Sequence, residues 1–243
     1  MKKTKRGLYK KLGEGDKFLL TDYLSKGTKD YESYVENQKI LNSKKFGVGC
    51  NDGIEVFEKI KEEVLNRNSE PTFGLCHGVR SGWENKTLGE QLNCKVIGTE
   101  IGDKFGHPEI TIQWDMHEIK DEWIGKCDVI YTNSFDHSYD PIYALNQWSK
   151  CLKKTGIIVT QFTEEQPDIP SGGHHIQRAI DTKTYSPGDP FNAPFEIFKK
   201  MVDDYSPLKI VSINNWRGKF DDGEGMIIDY SHVKHIVLQL EDK

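Results

Sequence analysis

Short strand-like segments alternate with helix-like segments through the middle of the chain, and this alternation is the strongest constraint on its fold. The predicted strands are Thr72–Cys76, Cys94–Glu100, Ile110–Trp114, Cys127–Thr132 and Ile157–Gln161. Helical spacing of apolar residues runs from Ile54 to Leu65 after Asp52, a candidate cap. Another helix is predicted after Gly82, and a third is predicted to start at Asp140-Pro141 and to end at Gly156. Such alternation favours right-handed crossovers, and it predicts an α/β fold with a parallel sheet covered by helices on both faces.

The two ends of the chain follow different patterns. Leu208–Ile213 and His235–Leu240 are strand-like with no helix-length segment between them, so we predict an antiparallel hairpin at the edge of the sheet. Residues 1–50 are predicted to be a basic N-terminal arm with a helical extension, loosely docked or gripping an anionic ligand. Residues 51–243 form the predicted main domain, in which residues 163–194, rich in Gly, Pro and His, are predicted to be a lid or substrate loop.

Composition and charge exclude several classes of protein. A chain of 243 residues with 36% hydrophobic residues and a net charge of -5 is typical of a globular domain. The acidic balance disfavours nucleic acid as a partner, and no apolar run reaches the about 20 residues that a membrane span needs. Five cysteines without a C-x-x-C pair indicate reduced thiols and a cytoplasmic location. An oligomer is compatible with this composition.

Glycines and an acidic residue follow the first two predicted strands. In an open parallel sheet, ligands bind beyond the carboxyl ends of the strands. The first strand leads into a loop that contains Cys76, His77, Gly78 and Gly82, and glycine allows a ligand to approach the backbone closely. Glu100 ends the second strand, 22 residues beyond Gly78. A carboxylate at this position can accept hydrogen bonds from both hydroxyl groups of a ribose.

Polar residues also follow the third and fourth predicted strands. Asp115 could accept a hydrogen bond from an adenine amino group, and Met116 could contact the ring. Asn133 and Ser134 follow the fourth strand and are directed to the same crevice. Each of these residues alone has an ordinary structural explanation, as a turn glycine, a helix cap or a solvated acid. Their order at successive strand ends favours a pocket for a nucleoside.

Residues Thr72–Phe162 resemble a class I S-adenosylmethionine-dependent methyltransferase. Asp128–Asn133 is similar to the Asp-Val-Ile-Tyr-x-Asn fourth strand of that family, and Cys151–Val159 is similar to its signature of leucine, basic residues, glycine and an apolar strand. Gly74–Gly82 resembles the glycine-rich first motif, with Cys-His-Gly in place of the usual acidic residue and G-x-G spacing. The resemblance implies a Rossmann-like, seven-stranded, mostly parallel sheet with one reversed edge strand.

The resemblance also implies S-adenosylmethionine as cofactor, with Glu100 as the ribose acid and Asp115 as the adenine-side acid. A sulfonium methyl group is already electrophilic, so the protein mainly has to align and desolvate the nucleophile. An oxygen or nitrogen nucleophile also needs a general base, for which His137 is the candidate, with Asp136 orienting it or acting instead. His174 and His175 in the predicted lid are candidate substrate ligands, and no metal is predicted.

Other enzyme classes fit the sequence less well. A nicotinamide dehydrogenase would need G-x-G-x-x-G, a P-loop phosphotransferase would need G-K-[ST], and neither motif occurs. The N-P-P-Y type of motif used for nucleic-acid bases is also absent, since Asn133–Asp136 lacks the prolines. We therefore expect a small polar acceptor, such as a saccharide or metabolite hydroxyl. The alternative is an inactive methyltransferase-like module that binds a nucleoside or a partner.

Overall fold

The structure of the protein is a computed structural model that describes residues 31–45, 52–163, 191–193, 195–221, 227–229 and 233–241, and the backbone of four strands between residues 5 and 29. The strands are β1 (Lys5–Lys10), β2 (Phe18–Asp22), β3 (Leu24–Ser25), β4 (Thr28–Lys29), β5 (Phe73–His77), β6 (Lys95–Glu100), β7 (Thr111–Gln113), β8 (Cys127–Thr132), β9 (Leu152–Thr163), β10 (Phe191–Asn192), β11 (Leu208–Asn214), β12 (Lys219–Asp221), β13 (Ile227–Asp229) and β14 (Val233–Leu240). The helices are α1 (Tyr31–Lys45), α2 (Ile54–Leu65), α3 (Trp83–Leu92), α4 (Pro141–Cys151) and α5 (Phe195–Tyr205).

The main sheet has seven strands in the order β11-β14-β9-β8-β5-β6-β7. Strands β5 to β9 pair in parallel, and β14 pairs antiparallel with both β9 and β11. This confirms the predicted mostly parallel sheet and the antiparallel hairpin at its edge. The reversed strand β14 lies one position in from the edge, between β9 and β11. Its residues Val233 and His235–Leu238 are accordingly buried, whereas the edge strand β11 is mostly half-buried.

Helices cover both faces of the sheet, as predicted. Helix α2 buries Val56, Phe57, Ile60 and Val64 together with α3 on one face, where their side chains meet those of β5, β8 and β9. Helices α4 and α5 bury their apolar side chains against the other face. The β5–β8 pairing lies at the point where the strand order reverses, which is where open α/β sheets bind ligands.

Two predicted helix ends differ from the structure. Asp52 does not cap α2, because its carboxylate instead accepts a hydrogen bond from the Tyr131 hydroxyl at 2.5 Å and lies 3.2 Å from His235 Nε2. Gly156 does not end α4, which stops at Cys151, and lies within β9. A Cβ atom at Gly156 would lie 2.4 Å from the carbonyl oxygen of Cys127, so glycine is needed there for close strand packing.

The N-terminal arm contains helix α1, as predicted, and also strands that the sequence pattern did not indicate. Strand β2 pairs antiparallel with both β1 and β10, which forms a small three-stranded sheet from two distant parts of the chain. Most of the predicted lid, residues 163–194, lies outside the described residues. Within the part of the chain that the structure describes, no helix is long and apolar enough to span a lipid bilayer.

Candidate active site

An open cavity lies at the carboxyl ends of β5, β6, β7 and β8, beside helix α1. This is the edge of the sheet at which open α/β folds bind their ligands. Its lining residues come from α1 and from the loops after those strands: Tyr34, Gln38, Leu41, Asn42, Gly78, Arg80, Thr99, Glu100, Ile101, Trp114, Asp115, Met116, Ser134 and His137.

The structure brings many of the predicted site residues together in this cavity and leaves others outside its lining. Those that line it are Gly78, Glu100, Asp115, Met116, Ser134 and His137. Those that do not are Cys76, His77, Gly82, Asn133 and Asp136. The predicted substrate ligands His174 and His175 lie outside the described residues. Among the described residues there is also no group of three or more His, Cys, Asp or Glu side chains that could hold a metal ion.

Glu100 is buried at the end of β6 and is held by two backbone groups. Its Oε2 accepts a hydrogen bond from the Arg80 amide at 2.9 Å, and its Oε1 accepts one from the Gly102 amide at 3.0 Å. A carboxylate has about four acceptor positions, so both oxygens can still accept from a ligand. These contacts fix a negative charge and two acceptor atoms at the cavity wall.

Gly78 allows the loop after β5 to meet the loop after β8. Its φ angle is +73°, and a Cβ atom there would lie 2.6 Å from the Cβ of Ser134. Gly82 has a φ angle of +74°, and a Cβ atom there would lie 2.7 Å from the carbonyl oxygen of Gly106. Gly82 therefore permits packing behind the cavity, whereas Gly78 forms part of its wall.

Cys76 and His77 are both buried in the core of the sheet. Alternate residues of a strand point to opposite faces, so the two side chains pack under the helices on opposite sides. The His77 ring stacks on Trp148 with centroids 4.9 Å apart, and its Nδ1 lies 2.8 Å from Thr99 Oγ1. Burial lowers the pKa of His77 to about 3, so its imidazole is neutral. Burial likewise raises the pKa of the Cys76 thiol well above its ordinary value. The side chains of Cys76 and His77 therefore pack around β5 and do not line the cavity.

Asp115 is held by His117, a residue that the sequence analysis did not assign to the site. Asp115 Oδ1 accepts hydrogen bonds from the backbone amide of His117 at 2.8 Å and from its Nδ1 at 2.6 Å. His117 Nε2 accepts from the amides of Tyr139 and Asp140 at 3.0 and 3.2 Å, which places the ring proton on Nδ1. The imidazole thus joins the loop after β7 to the loop after β8. In the sequence, the Asp-x-His spacing of Asp115 and His117 is the feature that could have identified this pair.

The ionisation of Asp115 follows from these contacts. Burial raises its pKa, but the hydrogen bonds from His117 and from the Tyr31 hydroxyl outweigh burial, so the pKa lies below the ordinary value. In turn, partial burial and the hydrogen bond to Asp115 raise the pKa of Tyr31. Asp115 is therefore an anionic acceptor at neutral pH, and a residue of α1 contacts it directly.

Helix α1 also holds His137, the candidate base. The Tyr34 hydroxyl donates to the carbonyl oxygen of His137 at 3.0 Å, and His137 Nδ1 lies 3.0 Å from Gln38 Oε1. A carbonyl oxygen only accepts, so the ring proton of neutral His137 lies on Nδ1 and leaves Nε2 as a proton acceptor. Asp136 Oδ2 lies 3.9 Å from that Nε2. The arrangement can take up a proton at the cavity wall.

No protein-family model matches the chain, and no curated protein matches it in sequence. Solved structures do match it. One is Burkholderia thailandensis 1,6-didemethyltoxoflavin-N1-methyltransferase with bound 1,6-didemethyltoxoflavin and S-adenosylhomocysteine, at 9% identity and a TM-score of 0.60 over 96% of this chain and 99% of that chain. Another is the plantazolicin methyltransferase BpumL in complex with SAH, at 12% identity and a TM-score of 0.52 over 87% of this chain and 89% of that chain.

A third match is the CurJ carbon methyltransferase, at 15% identity and a TM-score of 0.50 over 88% of this chain and 59% of that chain. All three matches are methyltransferases, and the identities are low enough that they establish the fold alone. The chain has the Rossmann-like fold of class I S-adenosylmethionine-dependent methyltransferases, as the resemblance in the sequence indicated.

Proposed function

We propose that the chain is an S-adenosylmethionine-dependent methyltransferase that moves a methyl group to a small polar acceptor, such as a saccharide or metabolite hydroxyl. The observation that supports this most is that Gly78, Glu100 and Asp115, from the ends of β5, β6 and β7, line the same cavity. Two of the structural matches hold S-adenosylhomocysteine, the demethylated product of that cofactor. One of them also holds its small-molecule substrate.

The residues present suit an adenosyl cofactor. Glu100 offers two fixed acceptor oxygens for the ribose hydroxyls, and Asp115 offers an anionic acceptor for an adenine amino group. Met116 and Trp114 add apolar surface to the same wall. When bound, the cofactor supplies an electrophilic methyl group on a sulfonium. The chain's own residues bind it and exclude water, and they position the acceptor.

His137 is the proposed general base. Gln38 accepts from Nδ1, so the unprotonated Nε2 can take the proton of an acceptor hydroxyl as that oxygen gains the methyl group. Asp136, with its carboxylate 3.9 Å from Nε2, stabilises the imidazolium that forms. Gln38 is a positioning residue in this scheme, because it fixes which ring nitrogen carries the proton.

Calorimetry with S-adenosylhomocysteine tests the cofactor assignment. We expect the full chain to bind it, and no binding by the folded protein would contradict the proposal. Transfer of a labelled methyl group to small-molecule, glycan, protein and RNA fractions then tests the acceptor. Label in only the RNA or protein fraction would exclude a small acceptor, and binding without any transfer would favour the inactive module instead.

Substitution of His137 tests the base. We expect His137→Ala to lower kcat by about 10²- to 10⁴-fold, which is the usual contribution of a general base. The matched control is His107→Asn, since His107 lies outside the cavity lining and asparagine tolerates its φ angle of +51°. Gln38→Leu should lower kcat and Gln38→Glu should restore it with a pH profile displaced to higher pH, because a carboxylate favours the imidazolium. Full turnover by His137→Ala would remove this residue from the mechanism.

A further inference from the structure

Asn42, on the last turns of helix α1, has an unusual environment. Its side chain lines the cavity and is only 6% exposed. Neither its Nδ2 nor its Oδ1 has a hydrogen-bond partner among the residues that the structure describes. A buried amide without partners is unfavourable, and such groups are rare in folded proteins. The environment therefore suits a ligand that both donates and accepts hydrogen bonds.

The position of Asn42 relative to Glu100 indicates which part of a ligand it meets. The Asn42 amide packs on Gly102, where a Cβ atom would lie 2.6 Å from Asn42 Cγ. The Gly102 amide is itself the donor to Glu100 Oε1. Asn42 and Glu100 thus flank one short turn, and glycine at residue 102 gives α1 the room to approach it.

The two side chains have complementary hydrogen-bonding chemistry. The Glu100 carboxylate only accepts, so it can bind the protons of a vicinal diol but offers nothing to the lone pairs of its oxygens. The Asn42 amide has two N–H groups that can donate to those lone pairs, and an oxygen that can accept. A ribose diol would satisfy both residues at once.

We propose that Asn42 is a nucleoside-binding residue, which donates from the N-terminal arm to a ribose hydroxyl of the ligand bound by Glu100. The inference rests on the proposed function for its ligand and adds a recognition element from outside the sheet. It also gives residues 31–45 a direct part in binding, in addition to covering the cavity.

The variant Asn42→Leu separates a binding role from a structural one. Leucine has the same branched arrangement of side-chain heavy atoms as asparagine and needs no hydrogen bonds, so the melting temperature of the unliganded protein should stay the same or rise. The affinity for S-adenosylhomocysteine, measured by calorimetry, should fall about five- to tenfold because one hydrogen bond is lost. The matched control is Ser43→Ala, at an exposed position on the same helix, which should change neither quantity.

Ligand analogues identify the group that Asn42 contacts. Adenosine, 2′-deoxyadenosine and 3′-deoxyadenosine should each be titrated into the wild type and Asn42→Leu. We expect one deoxynucleoside to bind both proteins equally, since it lacks the hydroxyl that Asn42 contacts and the interaction is therefore absent from both complexes. Equal losses for all three nucleosides would overturn the ribose contact.

The remaining outcomes are also decisive. Wild-type affinity in Asn42→Leu would overturn the inference and leave the proposed function intact. A lower melting temperature together with weaker binding would assign Asn42 to the support of α1 and would also overturn it. If the wild type binds neither S-adenosylhomocysteine nor adenosine, the proposed function fails, and this inference fails with it.

Discussion

Replacement of Glu100 by glutamine should separate the proposed ligand-binding role of this residue from its role in the fold. Glutamine has nearly the same shape, but it exchanges one acceptor oxygen for an NH₂ group and removes the negative charge. In the folded protein, the two oxygens accept from the amides of Arg80 and Gly102 at 2.9 and 3.0 Å. The amide oxygen of glutamine can replace only one of these interactions.

The expected magnitudes follow from that count. One buried N–H group is left unpaired, so the free energy of unfolding should fall by about 1–3 kcal/mol. A ligand diol loses one hydrogen bond to a charged acceptor, which is worth about 1.5–3 kcal/mol and corresponds to a roughly ten- to hundredfold weaker Kd for S-adenosylhomocysteine. The loss of affinity should exceed the experimental error of calorimetry by a wide margin.

Calorimetry and urea denaturation should be carried out on the same preparations. Glu90→Gln is the matched control, because Glu90 is exposed on α3 and lies outside the cavity lining, and it should behave as the wild type. If Glu100→Gln binds S-adenosylhomocysteine within twofold of the wild type while the wild type binds it, the assignment of Glu100 to the ribose is wrong. Weaker unfolding stability alone would leave Glu100 with a purely structural role.

Three further predictions concern the framework of the site. Gly78→Ala should destabilise the protein more than Gly125→Ala in urea denaturation: both glycines have positive φ angles (+73° and +65°), but only Gly78 has a neighbour within 4 Å of the added Cβ. Asp128→Asn should lower the free energy of unfolding by about 3 kcal/mol at pH 7. Lys153 and backbone amides outweigh burial and keep the pKa of Asp128 below its ordinary value. The difference from the wild type should therefore shrink as the pH falls below about 4 and vanish only once the pH is below the lowered pKa of Asp128. The pKa of His77 is lowered to about 3 in the folded protein, so between pH 6.5 and 3 the unfolded state binds one more proton than the folded state. The free energy of unfolding should therefore fall by about 1.4 kcal/mol per pH unit on acidification over this range. His77→Gln should remove that contribution.

The fold was predictable because its signals are local and periodic. Helix α2 buries residues at helical spacing, and α4 begins at Pro141 with Asp140 accepting from the Tyr143 amide at 3.1 Å. Strand bounds were also close, as in β8 at Cys127–Thr132. The errors arose where a residue type has two uses. Gly156 resembles a helix terminator in the sequence, but its function in the structure is close strand packing.

The candidate site could be predicted only in part, and the reason is geometric. Strand ends are marked in the sequence, so residues such as Glu100 and Asp115 could be placed at one edge of the sheet. The direction of a side chain at the end of a strand depends on the alternation along that strand. His77 therefore lies against Trp148 in the core, whereas its neighbour Gly78 reaches the cavity. Adjacency in the sequence does not distinguish these two outcomes.

The contribution of α1 could not be predicted because its contacts with the site are polar. Tyr31, Tyr34 and Gln38 interact through a hydroxyl or an amide with Asp115 or His137, and each contact joins residues far apart in the chain. An interface built from such contacts leaves no apolar stripe, and an apolar stripe is the signal that periodicity detects. Charge and amide content in a terminal segment usually indicate a solvated surface. Here the same composition supplies Tyr34, Gln38 and Asn42 to the wall of the cavity, so a segment without an apolar stripe can still be part of the candidate site.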